Sequence, residues 1–96
     1  MKRIDITLID TGDKGYYVAS PEAIHMSGVY PRLSHLSKYS VKYDTFYVEE
    51  DVDGVRFVEG LKSNPDVDLY INFAFSDIPD NLVEVDTTKP LSVNTN

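Results

Sequence analysis

The residues best suited to chemistry in this sequence are carboxylates, and they recur where apolar runs stop. Asp10 and Asp13 follow the run that begins at Ile4, Glu49 and Glu50 follow Val41 to Val48, and Ser76 and Asp77 follow Val67 to Phe75. If those runs are strands of an open α/β sheet, their carboxyl ends share one edge, which is where such sheets bind ligands. Carboxylates gathered there can hold Mg²⁺, a cation that takes oxygen ligands, or dock a basic partner. They also have a purely local use, because Asp in a turn bonds the backbone two residues on. Other chemistry is thinly represented. The sequence has no cysteine, which removes thiolate nucleophiles, disulfides and zinc-thiolate sites together. His25 and His35 stand ten apart with no further ligand at metal spacing, and no Ser, His and Asp order suggests a triad. Gly12-Asp13-Lys14-Gly15 lacks the phosphate-loop spacing and reads as a tight turn. No catalytic set, metal site or cofactor is therefore expected.

The elements that must position these residues follow from periodicity. Ile4, Ile6 and Leu8 alternate with Asp5 and Thr7, as in a strand buried on one face, and Tyr16 to Ala19 reads as a short returning strand. Ser20-Pro21-Glu22 is a helix start. The stripe Met26, Val29, Leu33, Leu36 continues it, but Gly28 and Pro31 divide it into two short pieces or kink it. Val41 to Val48, rich in Tyr, Val, Thr and Phe, is a second strand. Asp53 is placed to cap a helix with Val55, Val58 and Leu61 inside, closed by Ser63-Asn64-Pro65. In the third strand Val67, Leu69, Ile71, Phe73 and Phe75 share the apolar face, leaving Tyr70 and Asn72, with Thr7, on the wetter one. Leu82 to Val85 follows as a short edge strand.

This order predicts an α/β fold: a small two-layer sandwich with a mainly parallel three- to four-stranded sheet, two main helical segments, and the strands side by side in chain order. Residues 1–86 make the domain and 87–96 a polar tail. Ninety-six residues with 42% apolar content suit one globular core. No stretch has the length of a bilayer span and no signal-type apolar run opens the chain, which points to a cytoplasmic protein.

Two resemblances accompany this reading. Leu8-Ile9-Asp10-Thr11-Gly12 resembles the aspartic protease signature, which implies Asp10 as one carboxylate of a two-chain dyad sharing a proton, although only nine residues precede it. The order of elements, with Ser20-Pro21 before the first helix and Asn64-Pro65-Asp66 before the third strand, resembles the cobalamin-binding-type N-terminal α/β domain of radical SAM enzymes. The resemblance implies the fold; the Asp-x-His-x-x-Gly motif that ligates cobalamin is not in the sequence.

A net charge of −7 disfavours direct contact with nucleic acid or membrane and favours basic protein partners. Seven tyrosines supply contact area of the kind interfaces use, or line the rim of a small core. The function expected is a small acidic noncatalytic binding or accessory module acting through a protein partner, an inhibitor being a special case and a homodimer one arrangement. The alternatives are a small-ligand or cofactor-binding subunit of a larger enzyme and, more remotely, the dimeric protease. Asp10, Asp13, Glu49, Glu50, Tyr70, Asn72 and Asp77 are the candidate ligand- or partner-binding residues.

Overall fold

A computed structural model describes residues 1–93. Lys2–Asp10 forms β1, with Ile4 and Ile6 buried at period two, and the chain turns back into β2, Gly15–Ala19. Their register, from Thr7 opposite Val18 to Asp10 opposite Gly15, makes an antiparallel hairpin. The Ser20 hydroxyl then accepts from the Ala23 N–H at 3.1 Å and starts α1, Pro21–Ser27. Gly28, at a left-handed φ of 71°, ends this helix, and Pro31 falls in a separate 3₁₀ turn, Tyr30–Arg32.

The strand expected over Val41 to Val48 is corrected. Lys38–Ser40 forms β3, residues 41–44 reverse direction, and Thr45–Glu49 forms β4, antiparallel to β3. The reversal contains neither Gly nor Pro; Asp44 supplies it, taking a φ of 48° and accepting the Tyr39 hydroxyl at 2.5 Å. Next, α2 (Asp53–Ser63) leads to β5 (Val67–Phe75), and Val83–Glu84 adds the short β6.

All six strands lie in one sheet, in the order β5-β1-β2-β4-β3-β6. Among the described residues β1 and β5 are the only parallel neighbours, and every other pair is antiparallel. This overturns the mainly parallel three- to four-stranded sheet and its chain-order arrangement. The physical reason is that turns of a few residues join only antiparallel neighbours. Two such hairpins, β1–β2 and β3–β4, account for four of the strands, and β2 and β1 sit between the two strands that α2 connects.

Both helices lie on one face, where Ala23, Ile24, Phe57 and Leu61 pack against Ile4, Ile6, Phe46, Val48 and Val67. Val55, expected inside, is 51% exposed, because the buried side of α2 is Gly54, Phe57 and Leu61. Asp53 is not the cap but the first residue of α2, and its carboxylate turns inward. Fully buried, its Oδ2 accepts from the Ser34 N–H and hydroxyl, both at 2.9 Å, and from the Ser37 hydroxyl at 2.5 Å. Ser37 Oγ in turn accepts the Glu49 N–H at 3.0 Å, so one carboxylate joins the α1–β3 connection, β4 and α2. On the other face a smaller cluster of Ile9, Tyr16 and Tyr47 is covered by Ile78 and Leu82. The Tyr30 hydroxyl donates to the carbonyls of Asp86 and Lys89, each at 2.9 Å, which fixes the start of the polar C-terminal segment; residues 94–96 lie outside the described residues. No helix among the described residues is long and apolar enough to cross a membrane.

Two measurements check this packing. Asp53→Ala leaves the buried Ser37 hydroxyl and two half-buried donors of Ser34 without their acceptor, so denaturant unfolding should show a loss of about 2–4 kcal/mol; a loss within about 0.5 kcal/mol, as for an ordinary surface change, would contradict the network. The hydrogen bond to Asp44, with burial adding to it, pushes the Tyr39 phenol up to about 12. The fold thus favours the neutral phenol, a contribution that is complete below the unfolded value of about 10 and lost as pH rises through 12. Ultraviolet titration should find a tyrosine ionising near pH 12 that Asp44→Gly returns toward the ordinary range, and an unchanged titration in that variant would count against the contact.

Candidate functional site

The chain directions bring three strand ends to one edge. Since β2 is antiparallel to both β1 and β4, and β5 is parallel to β1, the strands β1, β4 and β5 all end at the same side of the sheet. Asp10, Glu49 and Phe75 are their last residues.

The turn after β1 is built by its own side chains. Asp10 Oδ1 accepts the Gly12 N–H at 2.7 Å, and Thr11 Oγ1 both donates to the Lys14 carbonyl and accepts the Lys14 N–H, each at 3.1 Å. The Glu50 N–H reaches the Gly15 carbonyl at 3.1 Å, and the Glu50 carboxylate lies where a Cβ on residue 15 would stand. The result is an open groove of about 550 Å³ whose lining includes Asp10, Asp13, Glu50 and Asp51 together with Phe73 and Phe75. Lys14 is the one cation lining it among the described residues. Round the corner, Asp13 borders a second hollow of about 490 Å³ with Tyr16, Asp77 and Asp80. The nearby Tyr17 phenol is raised by burial and further by the Glu50 charge.

The residues nominated from the sequence divide accordingly. Asp10, Asp13 and Glu50 share the groove, and Asp77 joins Asp13 in the second hollow. Glu49 is buried instead, its Oε1 accepting the N–H groups of Asp51 and Val52 and so closing the turn that leads into α2. Tyr70 and Asn72 sit opposite Asp5 and Thr7, on the sheet face away from the helices. There the Arg3 guanidinium lies 3.9 Å from the Tyr70 ring centre and bonds Asp5 at 3.0 Å, so Tyr70 belongs to a separate surface. Among the described residues no three His, Cys, Asp or Glu side chains form a group able to hold a metal ion.

Sequence reasoning missed Phe73 and Phe75. It assigned the whole alternating face of β5 to the core, but Val67 alone is buried, Leu69 and Ile71 are half-buried, and Phe73 and Phe75 are 77% and 88% exposed. Length explains the difference. Eleven helical residues span about 16 Å, whereas nine strand residues span about 30 Å, so α2 covers only the amino half of β5. Comparing those two lengths was the signal available.

Compared with known proteins, the chain matches no family model, no curated protein and no solved structure.

Gly15→Ala tests the construction of the groove. The far end of the Glu50 side chain is free to swing aside, so stability should change by less than about 1 kcal/mol while the amide resonances of Glu50, Asp51 and Phe75 shift. Global unfolding, or unchanged resonances, would contradict this geometry.

Proposed function

We propose that this domain is a small acidic noncatalytic binding module that engages a protein partner at the carboxyl edge of its sheet. The observation that carries this reading is the exposure of Phe73 and Phe75, 77% and 88%, on a groove whose lining they share with four carboxylates. Large aromatics left in water at a concave site act as anchors for a partner, and covering two phenylalanines is worth about 3–6 kcal/mol. The carboxylates around them add steering and discrimination rather than raw affinity, and they select basic surfaces. A net charge of −7 has the same preference. An accessory role follows directly, and an inhibitory one wherever the surface covered on the partner is its own working site.

A second reading, a small-ligand site on a subunit of a larger enzyme, is favoured by the groove volume of about 550 Å³, within the range such sites occupy. Thermal shift separates the two, since a nucleotide or metabolite that binds the fold raises its melting temperature without any partner protein.

For the first reading, the partner recovered from native extract should bind Phe75→Ser at least about tenfold more weakly, the equivalent of 1.4 kcal/mol. Asp10→Asn combined with Glu50→Gln should flatten the salt dependence of binding. A partner that binds both variants as it binds the parent would remove this reading.

A further inference from the structure

Among the described residues the outer side of the β5 backbone has no strand partner, and its bonding phase follows from two hydrogen bonds at the ends of the β1–β5 ladder. The Lys2 N–H donates to the Asp66 carbonyl at 2.7 Å, and the Ser76 N–H donates to the Asp10 carbonyl at 3.1 Å. With Lys2 opposite Val67 and Asp10 opposite Phe75, the even-numbered residues of β5 turn their amides toward β1. The odd-numbered residues Leu69, Ile71, Phe73 and Phe75 therefore present N–H and C=O groups outward, whereas the Val67 N–H is already bonded to Asn64 at 3.1 Å.

Such an edge is usually guarded by brevity, proline, a bulge or charge. The opposite edge follows that practice, since β6 has two residues and the segment held by Tyr30 lies beside it. The β5 edge is guarded by little more than one charge near its start. It runs for nine residues in unbroken register, contains no proline, and carries Asp68 as its one charge.

We infer that the free edge of β5 takes an added β-strand supplied by a partner protein, an extended segment that alternates apolar and polar residues and carries Lys or Arg beside the acidic groove. The inference rests on the partner-binding reading above and names the partner's chemistry. Outward amides at alternate positions fit an extended backbone. On the helix face the added strand lies next to Ile71, Phe73 and Phe75, which calls for apolar side chains; on the other face it lies next to Tyr70 and Asn72, which calls for polar ones. Past Phe75 the groove that this side chain lines is acidic, with Asp10 one strand inward and Lys14 the one cation lining it among the described residues, so a long basic side chain reaching inward across Phe75 finds carboxylates there. A second copy fits poorly, because its own β5 brings Asp68 and no Lys or Arg, and each chain carries −7.

The test uses the full chain and a displayed library of random twelve-residue peptides. Selected peptides should show apolar alternation with Lys or Arg, and should bind Phe73→Pro at least tenfold more weakly, since proline there removes an outward N–H and no bond to β1. Phe73→Lys serves as the second variant if the first fails to fold. In the unsubstituted chain, hydrogen exchange of the Leu69, Ile71, Phe73 and Phe75 amides should be fast when free and at least tenfold slower with a selected peptide bound. Peptides that are acidic or unpatterned, no selection at all, or bound peptides that leave those four amides fast would overturn strand addition. If binding then still falls with Asp10→Asn and Glu50→Gln, the partner-binding edge survives without the added strand; if binding ignores these variants too, both readings fail. A dimer in sedimentation that Phe73→Lys abolishes would assign the edge to a second copy and overturn the basic partner.

Discussion

Parallel pairing of β1 with β5 cannot be made by a short turn, and the rest of the molecule is arranged around the crossover that makes it. That crossover is α2, which leaves the end of β4 and must pass β2 and β1 before the chain can re-enter the sheet. Its length sets how much of β5 is covered, and its direction places the ends of β1, β4 and β5 together. The acidic groove and the exposed phenylalanines are thus two results of one connection. The amino half of β5 is under the helix and contributes to the core, whereas the carboxyl half extends past it into solvent.

The start of the crossover is held by charge and its body by packing. Asp53 binds both Ser34 and Ser37 from the first turn of α2, where the helix dipole favours a carboxylate, and Glu49 binds the amides just before it. Phe57 and Leu61, both fully buried, then seat the helix on Ile6 and Val48 of the sheet. Polar groups therefore decide where α2 begins, and apolar groups decide which face it presents. The groove inherits its shape from both, since Glu50 and Asp51 stand between the residues so fixed.

Much of this was legible as local pattern. The period of two in β1 and β5, the Ser20-Pro21 start and the Gly28 and Pro31 break are short-range signals, and the structure follows them. The reversal at residues 41–44 was not legible, because β-formers flank it on both sides and Asp44 makes the turn without a glycine. Apart from the β1–β2 hairpin, strand partners were not legible either, since the pairing of β2 with β4 and of β1 with β5 depends on contacts far apart in the chain. At the site, the sequence placed carboxylates at strand ends but did not separate neighbours. Glu49 and Glu50 differ by one residue, and strand parity sends the first to cap the α2 entrance and the second over Gly15. The same alternation that revealed β5 concealed Phe73 and Phe75, because the apolar period of two runs on unchanged past the point where α2 stops covering the strand.

The carboxyl end of β5 is the proposed landing place of another protein, and site-specific photocrosslinking examines that most directly. A benzophenone side chain placed at Phe75 in the full chain, irradiated in extract of the source organism, should give one dominant adduct with a basic protein, and the same probe at Val55, exposed on α2, should give none. Adducts that form at Val55 and not at Phe75, or at neither position, would contradict the account.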